Sequence, residues 1–172
     1  IRDSRKADLE QFEAYSELLG ADAPSDVDTF QRLKYSKPDE WSDLKGLYSY
    51  KGRVPEATKA DFQTYKKIKA TGIYGTVRVP AAKIDTSALT LDVAHINERR
   101  HGVTQEEAVS YIKNAAFSLK RRHWTGETFL NYYSEEGASY VRTSDNVIRT
   151  SFKKDEFDKK TKSAMEVLKN GK

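Results

Sequence analysis

The sequence predicts an α+β fold, with a helical N-terminal part, then helices packed on a small antiparallel sheet, then a C-terminal helix. Apolar residues recur at spacings of three and four in the N-terminal part, the period of an amphipathic helix. After Gly126 the period switches to two, the mark of half-buried strands. Charge changes along the chain as well. Residues 1–45 hold 7 Lys/Arg and 11 Asp/Glu, a balance of −4, whereas residues 46–172 hold 23 and 15, a balance of +8. Pattern and charge together suggest a helical region at 1–54 and an α+β domain at 55–172.

Taken in order, residues 4–19 read as a first helix, with Leu9, Phe12, Tyr15 and Leu19 on one face, Ser4 as N-cap and Gly20 at its end. Val27, Phe30 and Leu33 mark a second helix over 26–35. Pro38 opens a third, where its missing N–H costs nothing, and Trp41, Leu44 and Leu47 or Tyr48 form its buried stripe. KGRVPEA reads as a loop. Thr58 and Asp61 make a carboxylate version of the capping box for a fourth helix, whose apolar face is Phe62, Tyr65 and Ile68 and whose C-cap is Gly72. Residues 73–79 read as a strand that Pro80 ends. TQEEAVSYIKNAAFSLKRR (104–122) reads as one long helix, capped by Thr104 and closed by Lys120, Arg121 and Arg122. Strands are expected at 127–133, 138–143 and 146–152, joined by EEG and SDN. A Lys-rich helix over 154–169 finishes the chain.

Composition excludes several classes. At 172 residues and 33% charged, the chain can bury a core and is not a disordered polyelectrolyte. No run of about 18 apolar residues is present, so no membrane span is expected. IRDSRKADLEQF lacks the apolar core of a signal peptide, and the absence of a leading Met reads as a fragment or a processed chain. There is no cysteine and there are only three histidines, without HExxH spacing, so no metal site and no cofactor is expected. GxxxxGK[ST], GxGxxG and GxSxG are all missing. A basic balance over 46–172 suits an anionic partner, nucleic acid being the usual one.

What remains is histidine with arginine, lysine, tyrosine and hydroxyls, a set that suits metal-independent RNA cleavage. In that reaction the ribose 2′-OH attacks the adjacent phosphate. One group takes its proton, another protonates the leaving 5′-oxygen, and cations stabilise the charge built up on phosphorus. VAHINERRH (93–101) concentrates two of the three histidines. If it is helical, His95 and Arg99 lie four apart on one face, an imidazole beside a planar cationic fork. On the strands, Arg149, Ser151 and Lys153 are expected to share one face, opposite Ile148, Thr150 and Phe152, with Tyr140 and Arg142 placed similarly next door. His101, Ser151 and Lys154 complete the set as RNA contacts, His101 also as the reserve imidazole. Plainer readings exist: Arg99 and Arg100 as a solvated helix face, and His123 beside Trp124 as a helix exit packed on the core.

DTFQRLKYSKPDEWSDLKGLYSY (28–50), followed by a helix, a strand and VAHINERRHGVT, resembles the C-terminal region of phage minor head proteins of the Mu F type. From about residue 73 onward the chain resembles the phage branch of the barnase–EndoU–colicin–RelE nucleases. The layout is a helix with an H-x-x-x-R signature, a second helix, then strands ending in the basic, hydroxyl-rich VIRTSFKK. The resemblance implies a barnase/RelE-like four-stranded antiparallel sheet against helices and a toxin endoribonuclease acting on RNA such as tRNA. It assigns the helix positions to His95 and Arg99 and the strand positions to Tyr140, Arg142, Arg149, Thr150 and Lys153. It also implies carriage with the virion, contact with phage head or portal proteins, action in the bacterial cytoplasm and a cognate immunity protein. Two rival readings are a non-catalytic head component that binds DNA or capsid through its basic face, and an ADP-ribosyltransferase using the Q-x-E spacing of Gln105 and Glu107.

Overall fold

In the computed structural model, which describes residues 2–92 and 102–170, six α-helices and one six-stranded sheet are present among the described residues. The chain divides into two units, Ile1–Phe62 and Gln63–Lys172. The α+β class expected from the two hydrophobic periods is the class observed.

The first unit holds α1 (Arg2–Leu19), α2 (Val27–Ser36) and α3 (Pro38–Arg53). α1 starts earlier than its apolar stripe suggests, so Ser4 lies within its first turn and does not cap it. Asp26 caps α2, its carboxylate accepting from the Thr29 N–H at 2.8 Å. α3 runs on into the expected loop because Tyr50 and Val54 are buried and hold its last turn down. The core of this unit is aromatic. Tyr15 stacks on Tyr48 with ring centroids 4.0 Å apart, and Phe30 meets Tyr15 and Trp41 edge-on at 5.3 Å. Offset and edge-on contacts of this kind suit the ring quadrupole.

Asp8 is the buried charge of the first unit, 2% exposed. Its carboxylate accepts from Lys34 Nζ at 2.7 Å, Tyr35 Oη at 2.8 Å and Gln31 Nε2 at 3.0 Å. The hydrogen bond from Lys34, with those from Gln31 and Tyr35, outweighs the burial penalty and lowers the Asp8 pKa to about 2. The Lys34 pKa is raised in turn, chiefly by the bond to Asp8.

α4 (Lys59–Ala70) begins within the first unit and ends in the second. Thr58 and Asp61 exchange side-chain and backbone hydrogen bonds at 3.0 and 3.1 Å, the capping box expected from the sequence. The second unit continues with β1 (Thr76–Arg78), β2 (Thr90–Leu91), α5 (Gln105–Lys113), β3 (Phe117–Arg122), β4 (Thr128–Tyr133), β5 (Gly137–Arg142), β6 (Val147–Lys153) and α6 (Lys159–Asn170). The strand order is β1-β3-β4-β5-β6-β2, antiparallel throughout except for the parallel β2–β6 pair. The sheet is therefore six-stranded, where the resemblance implied four. β3–β6 form an antiparallel meander, and β1 and β2 are added at the two edges.

One expectation fails in the middle of this unit. The helix expected over 104–122 stops at Lys113, and Phe117–Arg122 is a strand. The start is as expected, with Thr104 as the cap, and Glu107 adds the reciprocal bond of a capping box, both bonds at 3.1 Å. Asn114 ends the helix, and the Ala116 N–H donates to the Tyr133 carbonyl, which begins the β3–β4 ladder. Phe117 and Leu119 satisfy a period of two as well as the helical one, and pairing with strands on both sides decides the matter. The C-terminal helix also starts later than expected, at Lys159, because residues 154–156 form a 3-10 turn and Asp158 caps α6 through the Thr161 N–H at 2.8 Å.

The two sheet faces are covered unequally. On one, α5 lays Ala108, Tyr111 and Ile112 over Tyr132, Val141 and Ile148. Gly137 makes the close approach possible, because a Cβ there would lie 2.5 Å from the Tyr111 ring and 2.6 Å from the Phe152 carbonyl oxygen. On the other, Ile68 of α4 and Ala164 of α6 join Val77, Phe117, Leu119, Tyr133 and Ala138.

Two outcomes follow for stability. Gly137→Ala should destabilise the second unit by about 2 kcal/mol or more by overpacking, read as a lowered midpoint in urea unfolding. An unchanged midpoint would mean that α5 does not sit this close. Asp8 has a folded pKa below its unfolded one, so its contribution is full above about pH 4 and lost as pH falls toward 2. That contribution is about 2 kcal/mol, and Asp8→Asn should remove it at pH 6 and flatten the acid limb of the thermal-unfolding profile. An Asp8→Asn variant with the parent's acid limb would contradict this.

Candidate functional site

Beyond α4 and α6, the second face of the sheet opens into a cleft of about 740 Å³. Its floor is set by strand register. Arg121, Phe129 and Arg142 form one cross-strand row on β3, β4 and β5, and Asn131, Tyr140 and Thr150 form the next on β4, β5 and β6. Arg149 joins them through a β-bulge. Tyr140 pairs with Thr150 but Val141 pairs with Ile148, so Arg149 is the extra residue, and it lines the cleft beside Thr150. The β3–β4 turn supplies the rim, with Arg122, His123, Trp124 and Thr125.

The cationic side chains are held in different ways. Arg142 donates to Asp145 through two bonds, Nε to Oδ1 at 3.0 Å and Nη2 to Oδ2 at 2.8 Å, and Glu127 lies 3.6 Å from its Nη1. This fork–fork pairing raises the Arg142 pKa and lowers that of Asp145. Arg149 donates to the Asp92 carboxylate. Arg121 sits over the Tyr74 ring, 5.3 Å from its centroid, with no ion pair among the described residues. Four arginines line the cleft with Glu127 and Glu156, and Asp145 and Asp92 pair with two of them, which leaves Arg121 and Arg122 as the cations not held by an aspartate.

His123 is exposed, and its Nδ1 lies 2.9 Å from Thr125 Oγ1 and accepts from the Thr125 N–H at 3.4 Å. A backbone N–H can only donate, so the neutral ring in this position carries its proton on Nε2. Trp124 is 89% exposed and Phe129 lies against His123, with ring centroids 5.8 Å apart. An indole left in water beside arginines is a stacking surface for a flat ring. Tyr140 lies 3.0 Å from the Tyr133 hydroxyl, and burial raises its pKa far above the ordinary phenol value. It therefore stays protonated and serves as a hydrogen-bonding group, not as a base.

Of the residues singled out from sequence, Tyr140, Arg142, Arg149 and Thr150 come together in this cleft. His95, Arg99 and His101 lie outside the described residues. Ser151 and Lys153 do not share a face with Arg149, because the bulge breaks the alternation. Ser151 is fully buried, within 2.9 Å of the Ser139 hydroxyl, which bonds the Ala108 carbonyl of α5. Lys153 pairs across to Gly137 on that same side. Lys154 lies 3.7 Å from Glu136, outside the cleft. Glu107 of the Q-x-E spacing is engaged as the partner in the α5 capping box.

Arg121, Arg122, His123 and Trp124 were hidden by the long-helix reading, which also put His123 and Trp124 on the core. They sit instead on an exposed hairpin tip. The signal was there: HWTGE is a turn between two runs of period two, with Gly126 at φ +92°. Asn131 was missed because a polar residue inside an apolar strand run carries no motif. Among the described residues, no group of three or more His, Cys, Asp or Glu is placed to hold a metal ion, and no helix is long and apolar enough to cross a membrane. Compared with known proteins, the chain matches no family model, no curated protein and no solved structure.

Proposed function

We propose that this protein is a toxin endoribonuclease that cleaves RNA without a metal ion, and that the cleft on the uncovered part of the sheet holds the scissile phosphate. The observation that carries the reading is the convergence of one imidazole, four arginines and an exposed indole on a single cleft. In this reading Arg142 and Arg149 hold the non-bridging oxygens, where planar forks donate two bonds at once. Asp145 and Asp92 keep those forks in place before substrate arrives. His123 in its imidazolium form, with a second proton on Nδ1 toward Thr125 Oγ1, passes the Nε2 proton to the leaving 5′-oxygen as a general acid and is left neutral. The 2′-oxygen bonds to phosphorus as the P–O5′ bond breaks, giving a 2′,3′-cyclic phosphate and a 5′-hydroxyl. His95, which lies outside the described residues, is the proposed group that takes the 2′-OH proton.

The resemblance to Mu F-type head proteins supports the wider setting: carriage with a phage particle, action in the bacterial cytoplasm, and an immunity protein that blocks the cleft. A non-catalytic nucleic-acid-binding head component would use the same basic face.

The test is incubation of total tRNA with the protein in EDTA, with cleavage read on a gel and product ends by sequencing. The parent should yield 2′,3′-cyclic phosphate ends, and His123→Ala should lose at least about a hundredfold in rate, the usual weight of a general acid. Full activity in His123→Ala would remove His123 from the mechanism. Salt-dependent binding with no cleavage would overturn the nuclease reading in favour of the binding component.

A further inference from the structure

The cationic surface does not end at the rim of the cleft. Arg121 lines the cleft, but its side chain runs outward over Gly75, just before β1. A Cβ on Gly75 would lie 2.8 Å from Arg121 Cγ and 3.0 Å from the Lys120 carbonyl oxygen, so the missing side chain is what lets the arginine pass. Its guanidinium thereby reaches the Tyr74 ring, 5.3 Å from the centroid. Tyr74 stands outside the cleft lining and is still 69% exposed with Arg121 against it.

Two lysines continue the line beyond Tyr74. Gly72 lies two residues back, and a Cβ there would sit 3.9 Å from Nζ of Lys160, in the first turn of α6. Lys69, in the last turn of α4, places its Nζ over the Tyr65 ring, 5.7 Å from the centroid. Both lysines are exposed, and neither takes part in an ion pair among the described residues. Asp158, two positions before Lys160 in the chain's own α6 cap, is committed to the Thr161 N–H. From Trp124 at the rim through Arg121 and Tyr74 to Lys160 and Lys69, cations and exposed rings are interleaved. A solvated surface needs the cations but not the rings, whereas a single nucleic-acid strand uses both, its phosphates on the cations and its bases on the rings.

We infer that the RNA surface leaves the cleft along this line, so that the substrate is a single strand long enough to lie over Tyr74 and reach Lys160 and Lys69. An unpaired base stacks on the Tyr74 ring, whereas the bases of a duplex stay stacked on one another. The two lysines take two phosphates that the cleft itself does not hold. The inference rests on the reading of the cleft as the place of the scissile phosphate, and it adds the length and the unpaired state of the RNA that lies there.

Fluorescence anisotropy with fully 2′-O-methylated single strands tests it, since these lack the attacking hydroxyl and stay intact. Strands of about four and about twelve nucleotides compare the cleft alone with the cleft and its extension. In the parent, log Kd should rise with log salt more steeply for the longer strand, by about 1.4, two phosphates at about 0.7 each. The exposed double variant Lys69→Gln/Lys160→Gln should abolish that difference, weaken the longer strand about tenfold and leave the shorter one unchanged. A longer strand made abasic outside its central stretch of about four nucleotides should bind the parent about tenfold more weakly than the intact one, the weight of one stacked base. Equal salt slopes for the two lengths in the parent, or an unchanged longer-strand affinity in the lysine variant, would overturn the extension and leave the cleft reading standing. An abasic strand that binds as tightly as the intact one would overturn the stacking on Tyr74, again without touching the cleft. Binding of neither strand would overturn both.

Discussion

The pairing of β3 between β1 and β4 puts Phe117, Leu119 and Arg121 on one face of the sheet, the first two beneath helices and the third beyond them. That single strand joins the core to the cleft. Its apolar half is held by Ile68 of α4 and by α6, so the basic end cannot shift without unseating Phe117. The opposite face is filled by α5, whose approach depends on the missing side chain at Gly137. With one face sealed and the other sealed only in part, the open remainder is the place where polar side chains stand on a rigid floor. Binding groups on strands are positioned more firmly than groups on loops.

Within the cleft the charges are arranged rather than merely abundant. Asp145 and Asp92 each hold an arginine that a phosphate would otherwise have to order, so less side-chain entropy is lost on binding. Both pairs are partly exposed, and exposed pairs contribute little to stability. Their effect is on where the forks point. Beneath them, burial keeps Tyr140 protonated and Asn131 Oδ1 is left without a donor. The floor thus presents neutral hydrogen-bonding groups below a cationic row.

Local signals in the sequence located most elements. Thr58 with Asp61, and Thr104, mark helix starts through bonds made within four residues, and those bonds are present, while Pro38 marks a start by its missing N–H and Gly20 an end by its positive φ. The alternation after Gly126 marks β4, β5 and β6. Residues 114–122 were not legible in this way, because Ile112, Ala116 and Leu119 fit a helix while Phe117, Leu119 and Arg121 fit a strand. The choice is made by Val77, the partner of Leu119 more than forty positions away. Of the site, Tyr140, Arg142, Arg149 and Thr150 could be picked out as residue types on predicted strands. The bulge that separates Arg149 from Ser151 and Lys153 could not, since it is a property of strand register and leaves no mark in composition.

The central claim is that RNA lies across the uncovered part of the sheet. Photo-crosslinking of a 4-thiouridine-containing RNA, followed by mass spectrometry of the digested protein, tests it most directly. The expected adducts fall within 121–131 and 140–152, with Trp124 and Tyr140 prominent. Adducts confined to the helical unit Ile1–Phe62, or to the face covered by α5, would contradict it.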